Sequence, residues 1–235
     1  MRKDNALANE LWLAACLHIG ERAHDRVLLN QYLKWAGKTG ADILIMGDAL
    51  DTGLCLGTKH IGSIWQNDRT PQQQIDDFCG LFNPLKRQIL GILGGNHELR
   101  AERVTSINPL YQSAQRLGVP YWGASKIFRW NKKIIFASHG ATTAPLTDFN
   151  KVLHAYEGLD AICLAHTHAL LHHSLRRFVA FPDGTVKDKR ILFVRSGNFL
   201  KDAEYARYAL HAPTDTGSAI LEFKDNSKLG VRLGL

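Results

Sequence analysis

Ile89-Leu90-Gly91-Ile92-Leu93-Gly94-Gly95-Asn96-His97-Glu98 is the stretch on which the fold turns. Its first five residues form an apolar run of the length of a short buried strand. Two glycines follow, and glycine permits backbone angles that other residues avoid. Asn96 and His97 come next, both good ligating or hydrogen-bonding groups. Alone, a strand that stops on Gly-Gly-Asn-His is compatible with an ordinary surface turn. Its meaning comes from how the other strands end.

Upstream, residues 11–17, LWLAACL, read as a first strand that runs into His18-Ile19-Gly20. Residues 22–38 have helical spacing, with Val27, Leu28, Tyr32, Trp35 and Ala36 on one face and Gly37 and Gly40 at the end. Residues 42–46, DILIM, are a second strand that stops at Gly47-Asp48. Residues 49–70 are polar, glycine-rich and aperiodic, a long loop of the sort that carries function. Thr70-Pro71 opens a helix with proline early in its first turn and Ile75, Phe78, Cys79, Phe82 and Leu85 as its apolar face. Downstream, residues 105–117 are helical. Buried strand alternating with amphipathic helix predicts an α/β fold.

The second half is richer in strands. Residues 126–130 and 133–137 flank Asn131-Lys132 as a hairpin, and its second strand ends at Ser138-His139-Gly140. Residues 147–157 form a helix, and 160–164 a strand ending at Ala165-His166-Thr167-His168. Residues 175–181 and 190–195 flank Pro182-Asp183-Gly184, another hairpin signal, and 219–223 and 229–233 are the last strands. No linker separates the halves, so residues 1–235 are expected to form one domain with two sheets.

Composition narrows the class. The chain has 235 residues, 45% hydrophobic and 22% charged, as globular proteins do and disordered ones do not. Its net charge of +7 favours anionic partners such as phosphate esters or nucleic acid. The cysteines Cys16, Cys55, Cys79 and Cys163 form no CxxC pair, which points to reduced thiols in a cytoplasmic setting. Leu13-Ala14-Ala15-Cys16 after Arg2-Lys3 looks like a lipoprotein cleavage box. Asp4, Asn5, Asn9 and Glu10 interrupt the apolar run that a signal peptide needs. No stretch is long enough to span a membrane.

Five strand ends thus deliver His18, Asp48, Asn96-His97, His139 and His166-x-His168. In open α/β sheets, ligand sites gather outside the carboxyl ends of strands. Imidazole, carboxylate and amide together suit Zn, Mn or Fe rather than Ca or Mg. Two-metal sites stabilise both the attacking and leaving oxygens of a phosphoryl displacement.

The ordered set Leu17-His18-Ile19-Gly20, Gly47-Asp48, Gly95-Asn96-His97-Glu98, His139-Gly140 and His166-Thr167-His168 resembles the calcineurin-like metallophosphoesterase superfamily across residues 11–168. Residues 78–121 are similar to its small phage and bacterial phosphoesterases. The resemblance implies a four-layer α-β-β-α sandwich of two mixed β-sheets flanked by helices. It implies two divalent metal ions (Mn, Zn or Fe). Cys16, His18, Asp48 and His168 would hold one; Asp48, Asn96, His139 and His166 would hold the other, with Asp48 bridging. A metal-bound hydroxide would attack phosphorus and His97 would protonate the leaving oxygen. The implied activity is hydrolysis of phosphodiesters, nucleic acid or nucleotides among them. A phosphomonoesterase of the same fold is the near alternative.

Two positions depart from the family pattern. Cys16 stands where the family has a metal-binding aspartate. A Cys16 thiolate would ligate the first metal and tilt it toward zinc. Otherwise the first site is weak, or Cys16 is a small buried residue and that site is lost. The last case admits a degenerate family member acting as a metal-binding scaffold. Ala165 replaces a common glycine, which is tolerated unless that backbone needs a positive φ. Glu98 matches the family's Glu and is not expected to be catalytic. Further candidates are Arg22, His24 and Asp25 beside the first motif, and His60 and Trp65-Gln66-Asn67-Asp68-Arg69 for substrate or homo-oligomer contact. Lys126, Arg129, Lys132, Lys133, Arg176 and Arg177 are candidates for a nucleic-acid backbone. Ser196-Gly197-Asn198-Phe199 with Tyr205 and Tyr208 would rim the pocket, and His172-His173 would lie on the surface.

Overall fold

The computed structural model describes residues 8–52, 67–142, 146–180, 182–201, 215–224 and 228–235. Cys55, His60, Trp65, Gln66, Tyr205 and Tyr208 lie outside them. Four strands lie side by side in parallel: β1 (Glu10–Ala14), β2 (Asp42–Met46), β3 (Ile89–Leu93) and β4 (Tyr121–Gly123). A second parallel group is β6 (Lys133–Ser138), β7 (Ala161–Leu164) and β9 (Val186–Asn198), with β5 (Ser125–Trp130) and β8 (Leu170–Ala180) antiparallel to β6 and β9. Antiparallel β10 (Gly217–Lys224) pairs with β1, with β11 (Lys228–Leu233) and, at Gly217↔Asn198 and Ser218↔Gly197, with β9. The groups therefore join into one large mixed sheet. Buried Ser196 and Ser218 fasten the junction: their hydroxyls lie 3.0 Å apart and both donate to the Leu13 carbonyl. β4 and β5 end the path, yet the rings of Trp122 and Phe128 pack across them, tilted, with centres 5.3 Å apart, so the sheet curls toward a barrel.

Both faces of the β1–β3 group are covered, which is why its sequence is a continuous apolar run rather than an alternation. Trp12, Ile43, Ile45 and Ile92 face helices α1 (Arg26–Thr39), α2 (Pro71–Phe82) and α4 (Pro109–Leu117), where Leu29, Tyr32, Phe78, Phe82 and Leu110 are buried. Leu11, Leu13, Leu44, Met46 and Leu93 point the other way, onto Trp130, Ile135, Ala161, Cys163, Leu192 and Val194 of the second group. Beyond that group, Phe136, Ile162 and Phe193 pack on Phe149 of α5 (Thr147–Ala155). Each large side chain buried in this way contributes about 1.5–3 kcal/mol. The packing aligns the ends of β1, β2, β3, β6 and β7 along one edge.

Several elements differ from the sequence expectation. β1 stops at Ala14, not 17, because Cys16 and His18 take left-handed angles (φ 49° and 50°). α1 begins four residues later than the spacing suggests: Asp25 caps it, accepting from the Leu28 N–H at 2.9 Å. Its buried face is Leu29, Tyr32 and Ala36, leaving Val27 65% exposed. The expected α2 is present, opened by a Thr70/Gln73 capping box. Helix α3 (Asn96–Thr105) lies where only a turn was expected, and residues 106–108 divide it from α4. β8 and β9 run well past their apolar cores into an exposed arm. Among the described residues, no helix is long and apolar enough to cross a membrane.

Candidate metal centre

The turns after β2 and β3 are pressed together backbone to backbone. A Cβ on Gly47 would lie 2.7 Å from the Gly95 nitrogen, and one on Gly95 only 2.2 Å from Asp48 Oδ1. Only two glycine-bearing turns approach so closely. Asn96 and His97 then occupy the first turn of α3, where the His97 N–H donates to Asp48 Oδ1 at 2.9 Å. Glu98, wholly buried, closes the assembly. It accepts from the N–H groups of Gly95 (3.0 Å), Asp48 (3.1 Å) and Leu50 (2.9 Å). Burial, then the Asp48 charge, push its carboxyl up to about 7 against those donors. Glu98 thus anchors the loop that carries Asp48.

The expected side chains converge. His139 Nδ1 donates to the Met46 carbonyl at 2.9 Å, leaving Nε2 to face Asp48 Oδ2 and Asn96 Oδ1, each at 3.0 Å. His18 Nδ1 donates to Asp51 Oδ1 at 3.0 Å, leaving its Nε2 3.2 Å from His168 Nε2. Cys16 Sγ lies within 4.8 Å of the ligand atoms of His18 and His168, and equally of those of Asp48 and His139. It therefore sits between the two sets. His166 stands beside His139, ring centres 5.2 Å apart. Cys16, His18, Asp48, His166 and His168 all have positive φ, between 48° and 71°. Ala165 does not, so its replacement of glycine imposes no strain there.

These residues fit divalent metal ions. With Nδ1–H committed to a carbonyl or a carboxylate, His139 and His18 each present Nε2 to the neighbouring groups, the arrangement in which metal-binding imidazoles are held. Burial, then neighbouring His18, lowers His168 to about 3, and burial lowers His18 too, which favours the neutral, ligating form of both rings. Burial and then Asp48 hold the Cys16 thiol well above its ordinary range, while the His166 backbone N–H and Arg195 act the other way. A cation shared with Asp48 would reverse that balance, because coordinated thiols are deprotonated.

Asp51 is the residue that the motif pattern did not mark. Its Oδ1 lies 2.9 Å from His97 Nδ1 and 3.0 Å from His18 Nδ1, and its Oδ2 accepts from Asn67 at 2.6 Å. Its carboxyl is lowered: burial opposes the charge, but the His18 and His97 hydrogen bonds outweigh it. With Nδ1 engaged, His97 presents Nε2, which lies 3.9 Å from Asp48 Oδ2. Burial opposes the His97 charge, yet Asp48 and Asp51 raise the ring to about 9. The spacing of Asp51 three residues after Asp48 is the signal that was available.

One chain of known structure decides the fold, a novel archaeal phosphodiesterase at TM-score 0.51 and 12% identity, over 95% of this chain and 99% of that one. This chain shares that fold. A conserved uncharacterized protein of Streptococcus pneumoniae, a predicted phosphoesterase, matches at TM-score 0.45 and 13% identity, over 96% and 89% of the two chains. Vps29 of Entamoeba histolytica, complexed with zinc, matches at 0.45 and 14%, over 94% and 89%. No protein-family model matches the sequence, and the search of curated proteins finds no match.

Several of the remaining candidates make structural contacts and others lie on the surface. His24 Nδ1 donates to the Leu17 carbonyl at 2.7 Å and Asp25 caps α1, while Arg22 is exposed. Ser196, Asn198 and Phe199 are buried beneath the site instead of rimming it, and Asn198 Nδ2 donates to the His168 carbonyl at 3.1 Å. Asn67 and Arg69 hold Asp51 and Asp77. Lys126, Arg129, Arg176, Arg177, His172 and His173 are exposed along β5 and β8.

Proposed function

We propose that this chain is a calcineurin-like metallophosphoesterase that hydrolyses phosphodiesters, nucleic acid or nucleotides among them. The placement of Asp48 Oδ2 and Asn96 Oδ1 each 3.0 Å from His139 Nε2 carries this reading, since a carboxylate, an amide oxygen and an imidazole nitrogen gathered at one point are a ligand set for a cation. Two divalent ions (Zn, Mn or Fe) are assigned. Cys16, His18, Asp48 and His168 would hold one, and Asp48, Asn96, His139 and His166 would hold the other. When bound, such ions neutralise charge on phosphoryl oxygens and make a nucleophile available at neutral pH. The three apolar clusters support one domain in which the two strand groups of the sheet pack face to face between helices. The reduced thiols support a cytoplasmic setting.

The chain's own residues divide the remaining work. Asp51 fixes the ring of His97 through Nδ1, so that Nε2–H points into the centre. His97 then delivers that proton to the leaving oxygen. Glu98 keeps the Asp48 backbone in place. The barely exposed His18, Asp48, Asp51 and His139 limit water around the reacting group.

Hydrolysis of bis-(p-nitrophenyl) phosphate with added Mn or Zn tests the reading. Wild type is expected to turn over, and His97→Ala to lose about 10²–10⁴-fold in kcat with its metal content kept. No turnover with any ion would sink the enzyme and leave the metal-binding scaffold, which Cys16 favours.

A further inference from the structure

Arg195 is wholly buried on β9, opposite Leu164 of β7 and Leu171 of β8. A guanidinium is costly to bury unless its donors are satisfied. Nη1 donates to the Ala165 carbonyl at 2.6 Å, Nη2 lies 3.7 Å from Asp148 Oδ2, and the guanidinium carbon sits 5.1 Å from the Phe149 ring centre. Asp148, in the first turn of α5, accepts with the same Oδ2 from the Ala141 and Thr142 N–H groups, each at 3.0 Å. Ala165 immediately precedes His166, and Ala141 is two residues past His139. A single buried ion pair is thus fastened to both histidine loops. A direct bond, Ala165 N–H to the His139 carbonyl at 3.0 Å, joins the same loops. Arg195 and Phe193 share the face of β9 that lies under α5, opposite to the inward-facing Val194. Neither Arg195 nor Asp148 belongs to the candidate ligand groups.

We propose that Arg195 and Asp148 are positioning residues that set His139 and His166 at one metal position. The other position has its own supports: Asp51 holds His18, and Asn198 holds the His168 carbonyl. The two halves of the centre therefore have separate fastenings, and loosening one should spare the other. The fork of the guanidinium is needed as well as its charge, because one end binds a carbonyl while the other meets a carboxylate. This inference rests on the metal-binding reading of the site.

The test compares wild type with Arg195→Lys, Arg195→Met and Asp148→Asn. Arg232→Gln, which breaks ion pairs with Glu10 and Glu222 on another part of the molecule, is the control. Zinc titration calorimetry and metal content per chain are the first readout. The three variants are expected to lose about 10–100-fold in affinity for one ion and to keep the other, with the control unchanged. Equal weakening of both ions, or wild-type affinity for both, overturns the proposal. The second readout needs no metal. Amide hydrogen exchange at Ala141, Thr142 and Thr167 should quicken in Asp148→Asn and Arg195→Lys while Leu44 and Ile45 stay protected. Should wild type bind no ion, the metal reading of the site falls. Exchange then decides alone, and unchanged rates at those three amides overturn the clamp.

Discussion

Glu98→Ala is the most direct probe of how the centre is held. The side chain has no solvent exposure, and its two oxygens accept three backbone N–H groups, from Gly95, Asp48 and Leu50. Each such bond contributes about 1 kcal/mol net, and a buried donor left without a partner costs about 1–3 kcal/mol. Water entering the vacated space returns part of that. A loss of about 3 kcal/mol is therefore expected. With a urea slope of about 2–3 kcal/mol per M, the unfolding midpoint should fall by about 1 M or more at unchanged slope. Glu98→Gln keeps one oxygen acceptor and should lose about half as much. Because Asp48 is one of the three donors, hydrolysis by the folded Ala variant should also fall. An Ala variant within about 0.5 kcal/mol of wild type, the range of ordinary surface substitutions, would refute the reasoning.

Two further outcomes are expected. Cys16→Ala should lose about one metal ion per chain by elemental analysis, since Cys16 Sγ lies within 4.8 Å of both ligand sets; unchanged stoichiometry would remove the thiolate from the centre. Gly95→Ala would place a carbon 2.2 Å from Asp48 Oδ1 and 2.3 Å from the Asp48 nitrogen, so about 3 kcal/mol or more should be lost, read as a fall in thermal midpoint. A Gly95→Ala protein of wild-type stability would mean that the two turns are not packed as described.

The strand ends were legible because each strand is apolar on both faces and its chemistry follows at once. Gly47-Asp48 and Gly95-Asn96-His97 stand out against DILIM and ILGIL for that reason. Asp51 was not, because it lies in an aperiodic polar loop and its partner His97 is 46 residues away. Helix α3 was hidden by its own function: Asn96 and His97 drew attention as ligands, although Glu98 three residues after Gly95 is a helix-start signal. LWLAACL overstates β1, since hydropathy continues past the point at which the backbone turns at Cys16. β8 and β9 were underestimated where polar residues interrupt the apolar pattern: at His172-His173-Ser174 near the start of β8, and at Lys187-Asp188-Lys189 and Ser196-Gly197-Asn198 in β9. Arg195 gave no signal at all: a lone arginine in ILFVRSGNFL says nothing of Asp148, which lies 47 residues earlier.

The left-handed backbone at five positions of the centre restricts which amino acids can be exchanged there. Four of the five are His or Asp, types that enter this region more readily than most non-glycine residues. Cys16 is the exception. A left-handed angle costs an ordinary residue about 1–2 kcal/mol, and Asp escapes part of that through hydrogen bonds to nearby backbone. The loop at position 16 is thus better suited to an aspartate than to the cysteine it holds. An aspartate there would meet a backbone angle that suits it, whereas a β-branched residue would be resisted by the backbone before any question of ligand chemistry arose.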